Sequence, residues 1–206
     1  MKLLNSNQFD AEKIARIYGP NHNGIATIPE FLRDTTMQKI LDYIKTLHLA
    51  EAPQREGQVT QQFSALYFGE PEGNDFPTES LLIQLCNEYN LLYRKLKEPA
   101  KFEIEPEINS VGVHHYQEQA EGISPHQDYA RDVNLISILS ITGKARFLVC
   151  RGRTKIGATV LELSAGDLLL MRAPRNPKEN THRPFHCIDQ VEEERYSIIL
   201  RQRKNG

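Results

Sequence analysis

The 206-residue sequence changes its hydrophobic period near residue 100, and that change limits the folds open to it. Before it, Met37, Ile40, Leu41, Ile44 and Leu47 recur at three- and four-residue spacing, which predicts a helix capped by Asp34 or Thr35. A second helix is expected after Pro77-Thr78, with Leu81, Leu82, Leu85, Tyr89, Leu92, Tyr93 and Leu96 on one face and Pro99 as its stop. After residue 100 the apolar runs shorten and alternate with turn residues. Strands are expected over 108–116, 135–141, 146–150, 158–163, 168–171 and 195–201. Helices followed by many short strands predict an α+β chain, an antiparallel double sheet flanked by N-terminal helices. Residues 50–77 are rich in Gln, Glu, Gly and Pro but carry Phe63, Tyr67, Phe68 and Phe76, which reads as a mobile segment or short hairpin with aromatic tips.

Length suits a single domain, with residues 1–100 as a helical and lid extension and 101–206 as the β core. The 25 Lys+Arg and 27 Asp+Glu give a net charge of −2. Residues 1–125 hold 11 basic and 18 acidic groups, and 126–206 hold 14 and 9, so −7 and +5 sum to that total. Near-neutrality argues against a protein that coats nucleic acid through bulk charge, while the basic second half keeps a local anionic partner open. No apolar run reaches the roughly 18 residues of a membrane span, and the opening residues lack a signal peptide's apolar region. Cys86, Cys150 and Cys187 form no CxxC pair, so no disulfide framework or cysteine zinc site is indicated and a reducing, cytoplasmic setting is expected. Cys187 itself reads as a small buried residue.

Phosphate-loop, dinucleotide, HExxH and GxSxG motifs are absent. What remains is a set of histidines, one carboxylate and two arginines, all in the β-rich half. In His126-Gln127-Asp128 an imidazole and a carboxylate two residues apart share one side of an extended chain. With a third ligand from another strand, His182 or His186, they match the two-His, one-carboxylate facial triad of non-haem Fe(II) oxygenases, which leaves coordination positions open for a cosubstrate and O₂. On the last strand Arg195, Ser197, Ile199 and Arg201 alternate with Tyr196, Ile198 and Leu200. Two arginines on one face of an apolar strand are costly to bury without anions. Their Cα atoms lie roughly 20 Å apart at ~3.3 Å per residue, close enough for the long side chains to converge on a small dicarboxylate. Ser110, Gly112, His114 and Tyr116 form a similar polar face, suited to wall a polar ligand.

With those residues in hand, the chain resembles the Fe(II)/2-oxoglutarate-dependent dioxygenases, and within them the AlkB-like branch. The motif order carries the resemblance: the strand ending at Tyr116, Gly122-Ile123-Ser124-Pro125, His126-Gln127-Asp128, Gly166-Asp167-Leu168-Leu169-Leu170, a distal histidine, and Arg195-Tyr196-Ser197-Ile198-Ile199-Leu200-Arg201. The last run is similar to the AlkB signature R-x-N-x-T-x-R, with Ser197 for Asn and Ile199 for Thr. The resemblance covers 108–201 and is faint before it.

It implies a double-stranded β-helix, a distorted jelly roll, with Fe(II) held by His126, Asp128 and His186. It also implies 2-oxoglutarate and O₂ as cosubstrates, Arg195 on the far carboxylate with Tyr116 and Ser197 assisting, and Arg201 near the chelating end or bracing Asp128. His114 falls where AlkB proteins carry Asn. The implied activity is oxidative demethylation of alkylated DNA or RNA bases, with Tyr67 or Tyr129 against the base and Lys144, Arg146, Arg151, Arg153 and Lys155 toward phosphates. The alternative is hydroxylation of a small molecule or peptide.

Overall fold

The computed structural model describes residues 2–20, 22–69, 73–77, 79–174 and 183–204. Among the described residues three α-helices and thirteen strands follow one another. Helix α1 spans Ala11–Ala15 and is capped by Asp10, whose carboxylate accepts from the Lys13 amide. Strand β1 (Ile25–Ile28) precedes helix α2 (Asp34–Ile44). Neither Asp34 nor Thr35 caps α2: the cap position is Arg33, without a side-chain bond, and Asp34 lies in the first turn, where its charge suits the helix N-terminus. Four short strands come next, β2 (Ala50–Glu51), β3 (Arg55–Glu56), β4 (Val59–Gln62) and β5 (Ser64–Phe68). Helix α3 (Leu81–Tyr93) begins at Ser80, whose hydroxyl accepts from the Ile83 amide; Thr78 lies outside the described residues.

Among the described residues of the second half the regular elements are all strands: β6 (Ser110–Tyr116), β7 (Gly122–His126), β8 (Asp132–Thr142), β9 (Arg146–Cys150), β10 (Thr159–Leu161), β11 (Leu168–Arg172), β12 (Phe185–Asp189) and β13 (Arg195–Arg203). They form two antiparallel sheets, a seven-stranded one ordered β1-β11-β8-β13-β6-β5-β2 and a six-stranded one ordered β10-β9-β12-β7-β4-β3. The expected α+β double sheet is therefore present. Strands from the first hundred residues are stitched into both sheets, because β1 pairs with β11, β5 with β6 and β4 with β7. The segment that reads as a mobile stretch or hairpin contributes four strands.

The central strands of the larger sheet, β11, β8, β13 and β6, are buried on both faces. Its outer face carries Val111, Val113, Leu135, Leu139, Leu168, Leu170, Tyr196, Ile198 and Leu200, packed with the apolar stripes of α2 and α3. Ile40 and Ile44 of α2, and Leu82, Leu85, Tyr89 and Tyr93 of α3, are almost fully enclosed there. Each such side chain contributes roughly 1.5–3 kcal/mol of burial. Its inner face meets the smaller sheet across Tyr116, Ile136, Ile138, Phe147, Leu169, Ile188 and Ile199. Three histidines, one arginine and one aspartate are among the residues that line a cavity in that inter-sheet space. Among the described residues no helix is long and apolar enough to cross a membrane.

Candidate metal centre and cosubstrate pocket

His126 ends β7 and His186 lies on β12, and the two are direct cross-strand partners. Their rings stand 4.3 Å apart. Asp128 lies just past β7, where the chain leaves the sheet and brings the carboxylate back over the histidine pair; Asp128 Oδ2 is 3.6 Å from His186 Nε2. One donor atom from each of the three residues falls within 4.8 Å of the others. Each imidazole is oriented from behind. Nδ1 of His126 donates to the Ser124 carbonyl at 2.9 Å, and Nδ1 of His186 to the Pro184 carbonyl at 3.3 Å. That places the proton on Nδ1 and leaves each Nε2 lone pair available, the arrangement metal-ligating histidines use. Phe147 of β9 stacks on His186, with centroids 5.6 Å apart and planes 8° off parallel.

Electrostatics favour the deprotonated forms of His126 and Asp128, which a cation needs. Burial, helped by His186, pushes the His126 imidazole down to about 4. Burial would raise the Asp128 carboxyl, but the combined pull of His186, Arg201 and His126 outweighs it and holds the group below the usual carboxylate range. Arg201 Nη2 stands 3.3 Å from Asp128 Oδ1. His182 lies outside the described residues.

The cosubstrate candidates come from the larger sheet, opposite the triad. Arg195 pairs in register with Tyr116 and Ser197 with His114, so two cross-strand pairs of β6 and β13 supply four of the expected residues. Arg195 is 4% exposed. Its guanidinium donates to Ser197 Oγ at 3.1 Å and to Ser140 Oγ at 3.4 Å, and its central carbon lies 5.8 Å from the Tyr116 ring centre. Among the described residues no carboxylate pairs with it. Burial lowers its pKa, yet a guanidinium stays charged, so the pocket holds a desolvated cation with neutral hydroxyls around it. An anionic ligand completes such a site. Tyr116 is buried and its phenol is pushed well up by burial, so it enters as a neutral donor. A small cavity joins His114, Tyr116, Ser197 and Arg201 to the three triad residues.

His114 occupies the partition between this cavity and a larger one. Its ring stacks on Phe63 at 4.6 Å, and its Nε2 is 2.9 Å from the Tyr67 hydroxyl. Burial, then the charge of Arg201, lowers its pKa well below the usual value. In the tautomer with its proton on Nδ1, the neutral ring accepts from the Tyr67 hydroxyl at Nε2. Gly112 makes this contact possible, since a Cβ there would come within 2.9 Å of the Tyr67 ring. Tyr67 is thus a wall residue of β5, set across the sheet from Gly112.

The larger cavity, about 440 Å³, opens from the triad and is lined by Phe63, Ala65, Tyr67, Tyr129, Pro53 and Val59, with Glu51 and Glu56 among its acidic groups. Tyr129 is half-exposed, donates to Glu56 at 2.8 Å, and has the guanidinium groups of Arg131 and Arg203 5.0 and 5.4 Å from its ring centre.

The basic residues expected to meet phosphates are mostly engaged. Lys144 pairs with Glu192, Arg146 and Lys155 with Asp189, and Arg153 lies over Phe185. Sequence pattern alone misses Ser140, Phe63, Glu56, and Arg183, which donates to the Asp128 carbonyl. Ser140 carries a signal that it shares with Ser137, a hydroxyl in the buried, largely apolar second half of β8.

No family model and no curated protein matches the sequence. Solved structures do match. A Pseudomonas putida prolyl-4-hydroxylase superposes with a TM-score of 0.69 at 13% identity, over 94% of this chain and 99% of that one. A 2OG-Fe(II) oxygenase family oxidoreductase from Burkholderia pseudomallei gives 0.68 at 14%, over 96% and 92%. OsALKBH1 gives 0.62 at 15%, over 87% and 98%. The chain therefore has the double-stranded β-helix fold shared by prolyl hydroxylase, AlkB-homologue and other 2OG-Fe(II) oxygenase structures.

Proposed function

We propose that this chain is an Fe(II)- and 2-oxoglutarate-dependent dioxygenase of a single domain. One observation carries the reading: a two-His, one-carboxylate cluster on the smaller sheet faces a buried arginine without a carboxylate partner among the described residues on the larger one. His126, Asp128 and His186 would hold the iron through Nε2, a carboxylate oxygen and Nε2. Bound iron would supply O₂ activation coupled to oxidative decarboxylation of 2-oxoglutarate to succinate and CO₂. Arg195, with Ser197 and Tyr116 beside it, would hold the distal carboxylate of the cosubstrate by charge-assisted hydrogen bonds. His114 would donate from Nδ1 on the cosubstrate side, and Arg201 would keep Asp128 ionised and oriented. The apolar walls of the inter-sheet space would exclude water from the reacting end.

For the substrate, the ring-lined cavity supports oxidative demethylation of an alkylated DNA or RNA base laid against Tyr67 or Tyr129, in an AlkB-like activity, with 50–69 as part of the covering wall. A second reading, hydroxylation of a peptide or small molecule, is favoured by Glu51 and Glu56, which repel phosphates. Succinate production with Fe(II) and 2-oxoglutarate tests the class. Formaldehyde released from methylated oligonucleotides in step with succinate supports the first substrate reading. Turnover that stays at the substrate-free rate across a panel of such oligonucleotides transfers the case to the second.

A further inference from the structure

The strands that carry His186 and its stacking partner have a second chemical feature on their other face. Along β12, His186 and Ile188 face the inter-sheet space, while Phe185 and Cys187 belong to a separate cluster outside it. Along β9, Phe147 faces inward against His186, and Leu148 and Cys150 face outward. The register sets Cys187 beside Leu148 and Phe185 beside Cys150, so the cysteines are diagonal neighbours. Their sulfurs are 3.7 Å apart. Both are buried, under a segment whose Arg153 lies over Phe185 and whose Lys155 pairs with Asp189.

We propose that Cys150 and Cys187 form an oxidisable dithiol whose conversion to a disulfide by a hydroperoxide weakens metal binding at the triad. Cys150, the less enclosed of the two at 6% exposure against 0% for Cys187, attacks the peroxide O–O bond as its thiolate and becomes a sulfenic acid; the leaving hydroxide takes up a proton to give water. The second sulfur attacks the sulfenic sulfur and expels a second water. The pair loses two electrons and two protons, and the peroxide is reduced to two waters. Joining the sulfurs draws the outer faces of β9 and β12 together. The same two strands hold His186 and its stacking partner Phe147 on the inner face, so the imidazole shifts relative to His126 and Asp128. Small misplacements of a ligand, or of the groups that orient it, cost about 10–100-fold in metal affinity. Cys86 packs in the helical core as part of α3 and serves as an internal control.

The effect on metal rests on the proposed iron site, but formation of the disulfide does not. The test treats the folded full-length chain with hydrogen peroxide, maps disulfides by mass spectrometry, and titrates Fe(II) anaerobically before and after. The expected result is a Cys150–Cys187 bridge with Cys86 still free, a tenfold or greater loss of Fe(II) affinity, and recovery on reduction with dithiothreitol. Cys150→Ser and Cys150→Ala, checked for unchanged unfolding midpoints, should show neither bridge nor loss. Three free thiols after treatment overturn the proposal, as does a bridge that leaves affinity unchanged. A reduced protein that binds no Fe(II) sinks the iron reading instead, whatever the disulfide map shows.

Discussion

Arg201 and Asp128 face each other across the open end of the two sheets, the guanidinium on β13 only 3.3 Å from the carboxylate that follows β7. Arg201 also lies 3.7 Å from Asp132. One cation thus ties the triad's only acid to the larger sheet. Arg201→Gln is expected to cut Fe(II) affinity by about 10–100-fold, the usual cost of losing the group that orients a ligand. Calorimetric titration of the apo protein reads it directly. An affinity equal to wild type would mean that Asp128 needs no brace.

Arg195 should separate from the metal ligands by its signature. Arg195→Ala is expected to raise the 2-oxoglutarate concentration needed for turnover while leaving Fe(II) binding intact. His126→Ala, Asp128→Ala and His186→Ala should abolish both. Arg195→Lys should also be impaired, because a point charge cannot replace the guanidinium fork held by Ser197 and Ser140. Unchanged cosubstrate dependence in both variants would remove Arg195 from the site.

Gly112→Ala places a methyl group 2.9 Å from the Tyr67 ring in a strand that cannot easily move. A cost of about 1–3 kcal/mol is expected from the overpacking. The Tyr67–His114 hydrogen bond should lengthen with it. Nitrogen-15 NMR of the His114 ring reads the bond independently of activity: wild type should show the proton on Nδ1, and Tyr67→Phe should give a mixture. Identical ring shifts in both proteins would leave Tyr67 without an orienting role.

Two buried neutral histidines give the apo protein an acid-sensitive fold. His126 is pushed down to about 4, chiefly by burial, and His114 is also lowered well below its usual value. An unfolded histidine takes its proton near 6.5, so between about 6.5 and 4 the unfolded chain binds more protons and stability rises with pH. It is therefore lost as pH falls through that window, by about 3 kcal/mol from His126 at roughly 1.36 kcal/mol per unit. Asp128, held below its ordinary range, extends the loss in the same direction at lower pH. Urea midpoints measured from pH 7.5 to 4.5 should fall, and less steeply in His126→Gln. Equal slopes in the two proteins would place the His126 ring in water.

The last strand is largely legible in the amino-acid sequence. Its alternation separates Arg195, Ser197 and Ile199 from Tyr196, Ile198 and Leu200, and the two sets line opposite faces. Its end is not legible: the expected strand stops at 201, whereas β13 continues to Arg203, which donates to Asp132, 71 residues earlier. Strand β7 is hidden by Gly122 and Pro125, which interrupt the pattern of a strand, and β12 by His186 and Asp189, which leave it no apolar run. Polar β4 lacks the apolar alternation that marks a strand, since its neighbour β7 supplies the pairing. The triad's spacing is visible at His126 and Asp128, but the reason His186 completes it is a cross-strand register, which no local pattern encodes.

The division of labour between the sheets has a consequence for how the molecule breathes. The nine residues of β13 and nearly all of β8 are buried, while β3 and β10 of the other sheet are largely exposed. Backbone amides of β8 and β13 should exchange with solvent only on global unfolding, and those of β7, β9 and β12 through cheaper, partial openings. The triad belongs to the side that opens. A cation bound there acts as a rivet on the looser half and slows its amide exchange in proportion to occupancy, while the protection of β13 stays as it was.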